Sequence, residues 1–208
     1  MYDSILYRLY NKGARFVSSI KMRNLSPLNE HEKQKLVELL ASDYYIILTG
    51  NKYTLSGNIV KFLSLLLNGK WPKYTHVLMN CDFMSNSSDK DKFKFMEATS
   101  SGVHYSTFDQ VFDCTNVCIL SPRNIRTEDF TEIIDELIKQ DGKPYDDLFQ
   151  LSDESRLSCV ELVRIALKAN DSYYENFSDL ERMISSEKNL TPQMFRDCED
   201  FLAILETD

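Results

Sequence analysis

The side chains best suited to covalent chemistry in this 208-residue chain are its thiols, Cys81, Cys114, Cys118, Cys159 and Cys198. Cys159 is set apart by its neighbours. Ser158-Cys159-Val160-Glu161 has the Ser-x-x-Glu form of a helix capping box. Ser158 then caps the helix and Cys159 is its first residue, beside backbone N–H groups that lack intrahelical partners. The positive end of the helix dipole favours thiolate over thiol at such a position. The same N–H groups can receive an oxyanion. The ordinary alternative is a buried, inert cysteine.

A thiol nucleophile requires a base, and the chain offers three histidines. His31 lies in the charged run Asn29-Glu30-His31-Glu32-Lys33, a solvent-facing helical pattern. His76 falls inside the apolar run Tyr74–Met79, and His104 follows Gly102-Val103. Residue type alone does not separate His76 from His104. A third group must orient the imidazole. Glu97 is the candidate, because it ends the alternating run Phe93–Ala98, where a carboxylate among apolar neighbours needs a partner. An edge-strand glutamate facing water is the other reading of Glu97.

The elements that position these residues follow from periodicity. Helical spacing runs through Tyr2–Ile20, and Ser26-Pro27 reads as the start of a helix ending at Leu40. Tyr44–Thr49, Tyr74–Met79, Phe93–Ala98, Gly102–Ser106 and Asn116–Leu120 read as strands, and Leu55–Leu67 as an apolar helix. Ser85–Lys92 reads as a surface loop. Thr127 is the expected cap of a helix to Gln140, and Cys159–Ala169 is a second helix. Thr191–Leu205 reads as a short helix and a last strand. The expected fold is α+β, a central antiparallel sheet flanked by helices. The division is a helical extension over 1–40 and a catalytic domain over 41–208.

Composition narrows the function further. The formal charge is −8 and no basic run exceeds two residues, which argues against nucleic acid as a partner. No apolar stretch approaches the roughly 20 residues of a membrane span. The sequence opens without a signal-peptide pattern, so a reduced, cytoplasmic setting with free thiols is expected. A zinc site from Cys114-x-x-x-Cys118 with His104 and Cys81 is the metal alternative. Its second pair is not tightly spaced, and Cys118 lies in an apolar run, so no metal or cofactor is expected.

The order His76, Glu97, Cys159 resembles the circularly permuted branch of the NlpC-type papain-like superfamily, in particular its YiiX-like members. Lys73-Tyr74-Thr75-His76-Val77 resembles the histidine motif, and Met96-Glu97-Ala98-Thr99 with Gly102-Val103 the motif of the third polar residue. Gly142-Lys143-Pro144-Tyr145-Asp146 resembles the turn before the nucleophile. Leu157-Ser158-Cys159-Val160-Glu161-Leu162-Val163 resembles the nucleophile motif, with Val160 where the family carries serine. Tyr45–Gly50 and Leu190-Thr191-Pro192 resemble the opening strand and the late Thr-Pro.

The resemblance implies a permuted papain-like fold and a Cys159-His76-Glu97 triad working through a thioester, with Tyr145 lining the cleft. It implies an amidase- or peptidase-type acyl hydrolase acting on a small-molecule, peptide or lipid amide. Acyl transfer, thioester hydrolysis on lipid-like substrates, or a non-catalytic module retaining the fold are the alternatives.

Overall fold

The computed structural model describes residues 27–50, 72–82, 89–146, 154–186 and 191–207. The expected helices Tyr2–Ile20 and Leu55–Leu67 lie outside these residues, as does the 85–88 half of the Ser85–Lys92 loop. The Lys90–Lys92 end of that loop forms a 3₁₀ turn.

Helix α1 spans Glu30–Leu40 and starts later than Ser26-Pro27 suggests. The cause is local. Asn29 Oδ1 accepts from the Glu32 N–H at 3.0 Å, and Glu32 Oε2 accepts from the Asn29 N–H at 2.8 Å. This reciprocal pair satisfies two end groups at once. The Leu28 N–H is drawn instead to the Cys114 carbonyl.

Strands β1 (Ile46–Gly50), β2 (His76–Asn80), β3 (Phe95–Thr99), β4 (Gly102–Ser106), β5 (Asn116–Pro122) and β6 (Phe201–Glu206) form one antiparallel sheet in the order β4-β3-β2-β1-β5-β6. Strands β1 to β5 each match an expected run, shifted by up to two residues at its start, and β6 is the last strand expected within Thr191–Leu205. Side chains alternate between two cores, as a period of two requires. Ile46, Leu48, Val77, Met79, Met96 and Ala98 enter one core; Ile47, Leu78 and Phe95 enter the other.

Helices cover both faces. On the second face lie α1 and α2 (Phe108–Val111), with Leu36, Val37 and Leu40 packed on the sheet and a nest of rings from Phe93, Phe95, Phe108 and Phe112. On the first face lie α3 (Phe130–Lys139), α4 (Cys159–Leu167), α5 (Tyr173–Asn176), α6 (Ser178–Ser186) and α7 (Gln193–Asp197). The fold is therefore α+β, as the pattern of elements indicates.

Thr127 does not cap α3. It opens a 3₁₀ turn over Thr127–Asp129, and its hydroxyl donates to the Asp43 carboxylate at 3.0 Å. No helix among the described residues is long and apolar enough to cross a membrane.

Candidate active site

Cys159 occupies the position its sequence neighbours specify. The Ser158 backbone N–H donates to Glu161 Oε2 at 2.8 Å, and the Glu161 N–H reaches Ser158 Oγ at 3.4 Å. The capping box is thus formed, and Cys159 is the first residue of α4. Glu161 is itself buried. Burial raises its proton affinity and so does the nearby Asp146 carboxylate, against the hydrogen bonds from Ser158.

The approach to Cys159 is tied down strand by strand. Tyr145 and Leu157 form a parallel bridge: the Leu157 N–H donates to the Pro144 carbonyl at 3.0 Å, and the Asp146 N–H to the Leu157 carbonyl at 3.3 Å. The turn before Tyr145 is held to β4 by Gly142 N–H to Val103 O at 2.9 Å and Val103 N–H to Lys143 O at 2.8 Å. Gly102 lets these backbones meet. It sits at φ +96°, and a Cβ there would stand 2.6 Å from the Lys143 carbonyl oxygen. Residues far apart in sequence are thereby locked beside one another, two positions before the thiol.

His76 is the first residue of β2, and α4 packs against β2 and β3. Its Nε2 lies 2.6 Å from Glu97 Oε2, and the ring also hydrogen-bonds the Cys159 side chain. The imidazole is thus placed between the thiol and the carboxylate. Burial pulls its pKa down. The hydrogen bonds and negative charge of Cys159 and Glu97 outweigh that and raise it from 6.5 to about 9.

The three candidate residues meet, and the choice between histidines is decided by contact. His31 is exposed on α1. His104 is the register partner of Glu97 across β3 and β4, yet its Nε2 stays 3.9 Å from Glu97 Oε1 and its Nδ1 lies 3.0 Å from the Gly102 carbonyl. Glu97 is 4% exposed, so it is not a water-facing edge residue. Its second oxygen accepts from the hydroxyl of Ser106. Ser106 is a member of the site that sequence reasoning missed. Its signal was there: alternation along Gly102–Ser106 puts positions 104 and 106 on one face, with Ser106 two residues beyond His104.

Tyr145, expected to line a cleft, is 9% exposed and belongs to the core that holds Cys159 and Leu157. Burial pushes Cys81 and Cys118 up to about 12, and Cys198 higher still.

No family model matches the sequence, and no curated protein matches it at a significant level. Among solved structures, the crystal structure of YiiX from Escherichia coli O157:H7, a DUF1105 metalloprotein, superposes with a TM-score of 0.57. The two share a fold. Identity to YiiX is 16%, over 80% of this chain and 98% of that one. YiiX is a metalloprotein, so its fold raises the question of a metal here. Among the described residues, no three His, Cys, Asp or Glu side chains converge on a point that a metal ion could occupy. Cys114 and Cys118 in particular pack into different cores, on opposite faces of the sheet, which removes the Cys-x-x-x-Cys pair as a joint ligand set.

Proposed function

We propose that this chain is a cysteine-dependent acyl hydrolase of the amidase or peptidase type, built on a circularly permuted papain-like fold. The supporting observation is that the His76 imidazole is hydrogen-bonded to the Cys159 side chain and to the Glu97 carboxylate at the same time. That is the nucleophile–base–orienter arrangement of covalent acyl transfer. The capped helix start adds N–H groups beside the sulfur.

Each side chain has a defined task in this reaction. Nε2 of His76 is engaged by Glu97, which leaves Nδ1 to take the thiol proton. The Cys159 sulfur adds to the acyl carbon, and the carbonyl π pair moves to oxygen. The Cys159 backbone N–H stabilises that oxyanion. Collapse expels the amine, which takes the proton from His76, and leaves a thioester. Water, deprotonated by His76, then releases the carboxylic acid and restores the thiol. Glu97 holds the ring orientation and stabilises imidazolium in both halves. An amide substrate from a peptide or a lipid amide meets these requirements.

The test has two arms. Iodoacetamide labelling should modify Cys159 ahead of Cys81, Cys118 and Cys198, whose thiols burial holds neutral. A panel of short acyl esters and peptide amides should be turned over by the intact chain and not by Cys159→Ala. Turnover that survives this substitution removes the proposed nucleophile. Labelling no faster than in the denatured chain, with no turnover, points to a non-catalytic module.

A further inference from the structure

Glu97 has a donor on each of its two carboxylate oxygens. Oε2 faces His76, and Oε1 accepts from the Ser106 hydroxyl, which is itself 5% exposed. We infer that Ser106 is a positioning residue for this site: by fixing Glu97 from behind, it holds the carboxylate aimed at the His76 ring. This rests on the triad reading above and extends it by one link, from Ser106 through Glu97 and His76 to Cys159.

The chemistry of the hydroxyl carries the inference. An ionised carboxylate only accepts, so the proton in the Ser106–Glu97 bond belongs to serine. A hydrogen bond to the charged form favours that form. A glutamate in such a covered site, with three rotatable bonds, gains a fixed rotamer from a second contact. β4 supplies the hydroxyl from a register set by backbone pairing, Phe95 opposite Ser106 and Glu97 opposite His104. The serine is therefore delivered by the sheet and is not a surface rotamer. His104 approaches the same Oε1, but its 3.9 Å separation and 37% exposed side chain make it the weaker partner.

The prediction follows from the link through Glu97. Without Ser106 the carboxylate is a less dependable counter-charge, so the imidazolium should lose its proton more readily. NMR titration of the His76 ring reads this directly and needs no substrate. In the unmodified chain the ring should titrate near 9. Ser106→Ala should lower that midpoint by about half a unit and cut kcat on the best panel substrate by about threefold, the lower end of one hydrogen bond's worth and less than the loss of the Glu97 charge itself. KM should stay within about twofold.

Ser106→Thr, which keeps the hydroxyl, should restore both readouts. Ser106→Cys, close in volume but a weak donor, should behave like Ser106→Ala and guards against an unfolded alanine variant. A His76 midpoint in Ser106→Ala and Ser106→Cys equal to that of the unmodified chain overturns the role of Ser106 and leaves the triad standing. A His76 midpoint unmoved by Cys159→Ala, with turnover surviving that substitution, overturns the triad itself.

Discussion

Replacing Glu97 by glutamine keeps the shape of the side chain and removes its charge, so it isolates the electrostatic part of the His76 contact. Its partners raise the His76 ring from the ordinary 6.5 to about 9. At about 1.4 kcal/mol per pKa unit that is roughly 3 kcal/mol of preference for imidazolium. Cys159 and Glu97 supply it against burial, with Cys159 the larger contributor. Because the two partners also offset burial, the largest single effect, the share of Glu97 exceeds its part of the net rise: Glu97→Gln should drop the midpoint by at least about one unit, to near 8 or below, a loss of roughly 1–2 kcal/mol.

The sign of the pH dependence is fixed by the direction of the shift. A raised folded pKa contributes stability that is fully present below 6.5 and is lost as pH rises through about 9. In Glu97→Gln the loss should be complete by about pH 8. Thermal melts at pH 6 should place Glu97→Gln about 3–6 °C below the unmodified chain, from the roughly 2–4 °C per kcal/mol expected at this length. The gap should narrow as pH approaches 9. NMR titration of the ring supplies the midpoint, with His76→Gln as the reference that lacks the transition. A midpoint in Glu97→Gln within about 0.3 units of the unmodified chain would falsify the charge coupling, whatever happens to activity.

Three further substitutions test the scaffold. Gly50→Ala puts a Cβ 2.2 Å from the Lys73 carbonyl oxygen, a backbone atom that cannot move without shifting the segment leading into His76; denaturant unfolding should show a loss of at least about 2 kcal/mol, in the range of overpacking. Thr49 lies opposite His76 in the β1–β2 register, and its buried hydroxyl has no hydrogen-bond partner among the described residues; Thr49→Val should be neutral or raise Tm by a few degrees, and a clear fall in Tm would show that the hydroxyl is used. Glu206 is held at about pKa 2, burial being outweighed by hydrogen bonds from Arg196, Tyr74 and Lys73; Glu206→Gln should therefore lower Tm above pH 4.5, with the difference closing as pH falls towards 2.

Much of this was legible in the sequence because local rules and the fold agree. Ser158 and Glu161 bracket Cys159 at a spacing only a helix start satisfies, and the box is formed. Gly102–Ser106 alternates, and its boundaries are those of β4. The failures share a cause. Ser26-Pro27 is a sound start signal, but Asn29 and Glu32 complete a reciprocal box that a single hydroxyl and a proline do not match. His76 and His104 are equivalent by residue type. What separates them is 2.6 Å against 3.9 Å at Glu97, set by how β2, β3 and β4 register. Ser106 needed the same information: alternation gives its face, while pairing gives its neighbour. Cys114-x-x-x-Cys118 looked like ligand spacing, but those four positions carry the chain from one core to the other.

The Glu206 contact has a temporal consequence. Tyr74 Oη donates to Glu206 Oε1 at 2.6 Å across 132 positions of sequence, and Lys73 Nζ reaches the same oxygen at 3.2 Å. The two residues that lead into the histidine strand are thus anchored by β6, which the ribosome makes long after Cys159. Loops of that length are slow to close, and pairings between distant segments form late. A nascent chain carrying His76, Glu97 and Cys159 but not yet Phe201–Glu206 lacks that anchor. If the proposed function holds, its thiol should gain reactivity only once β6 docks.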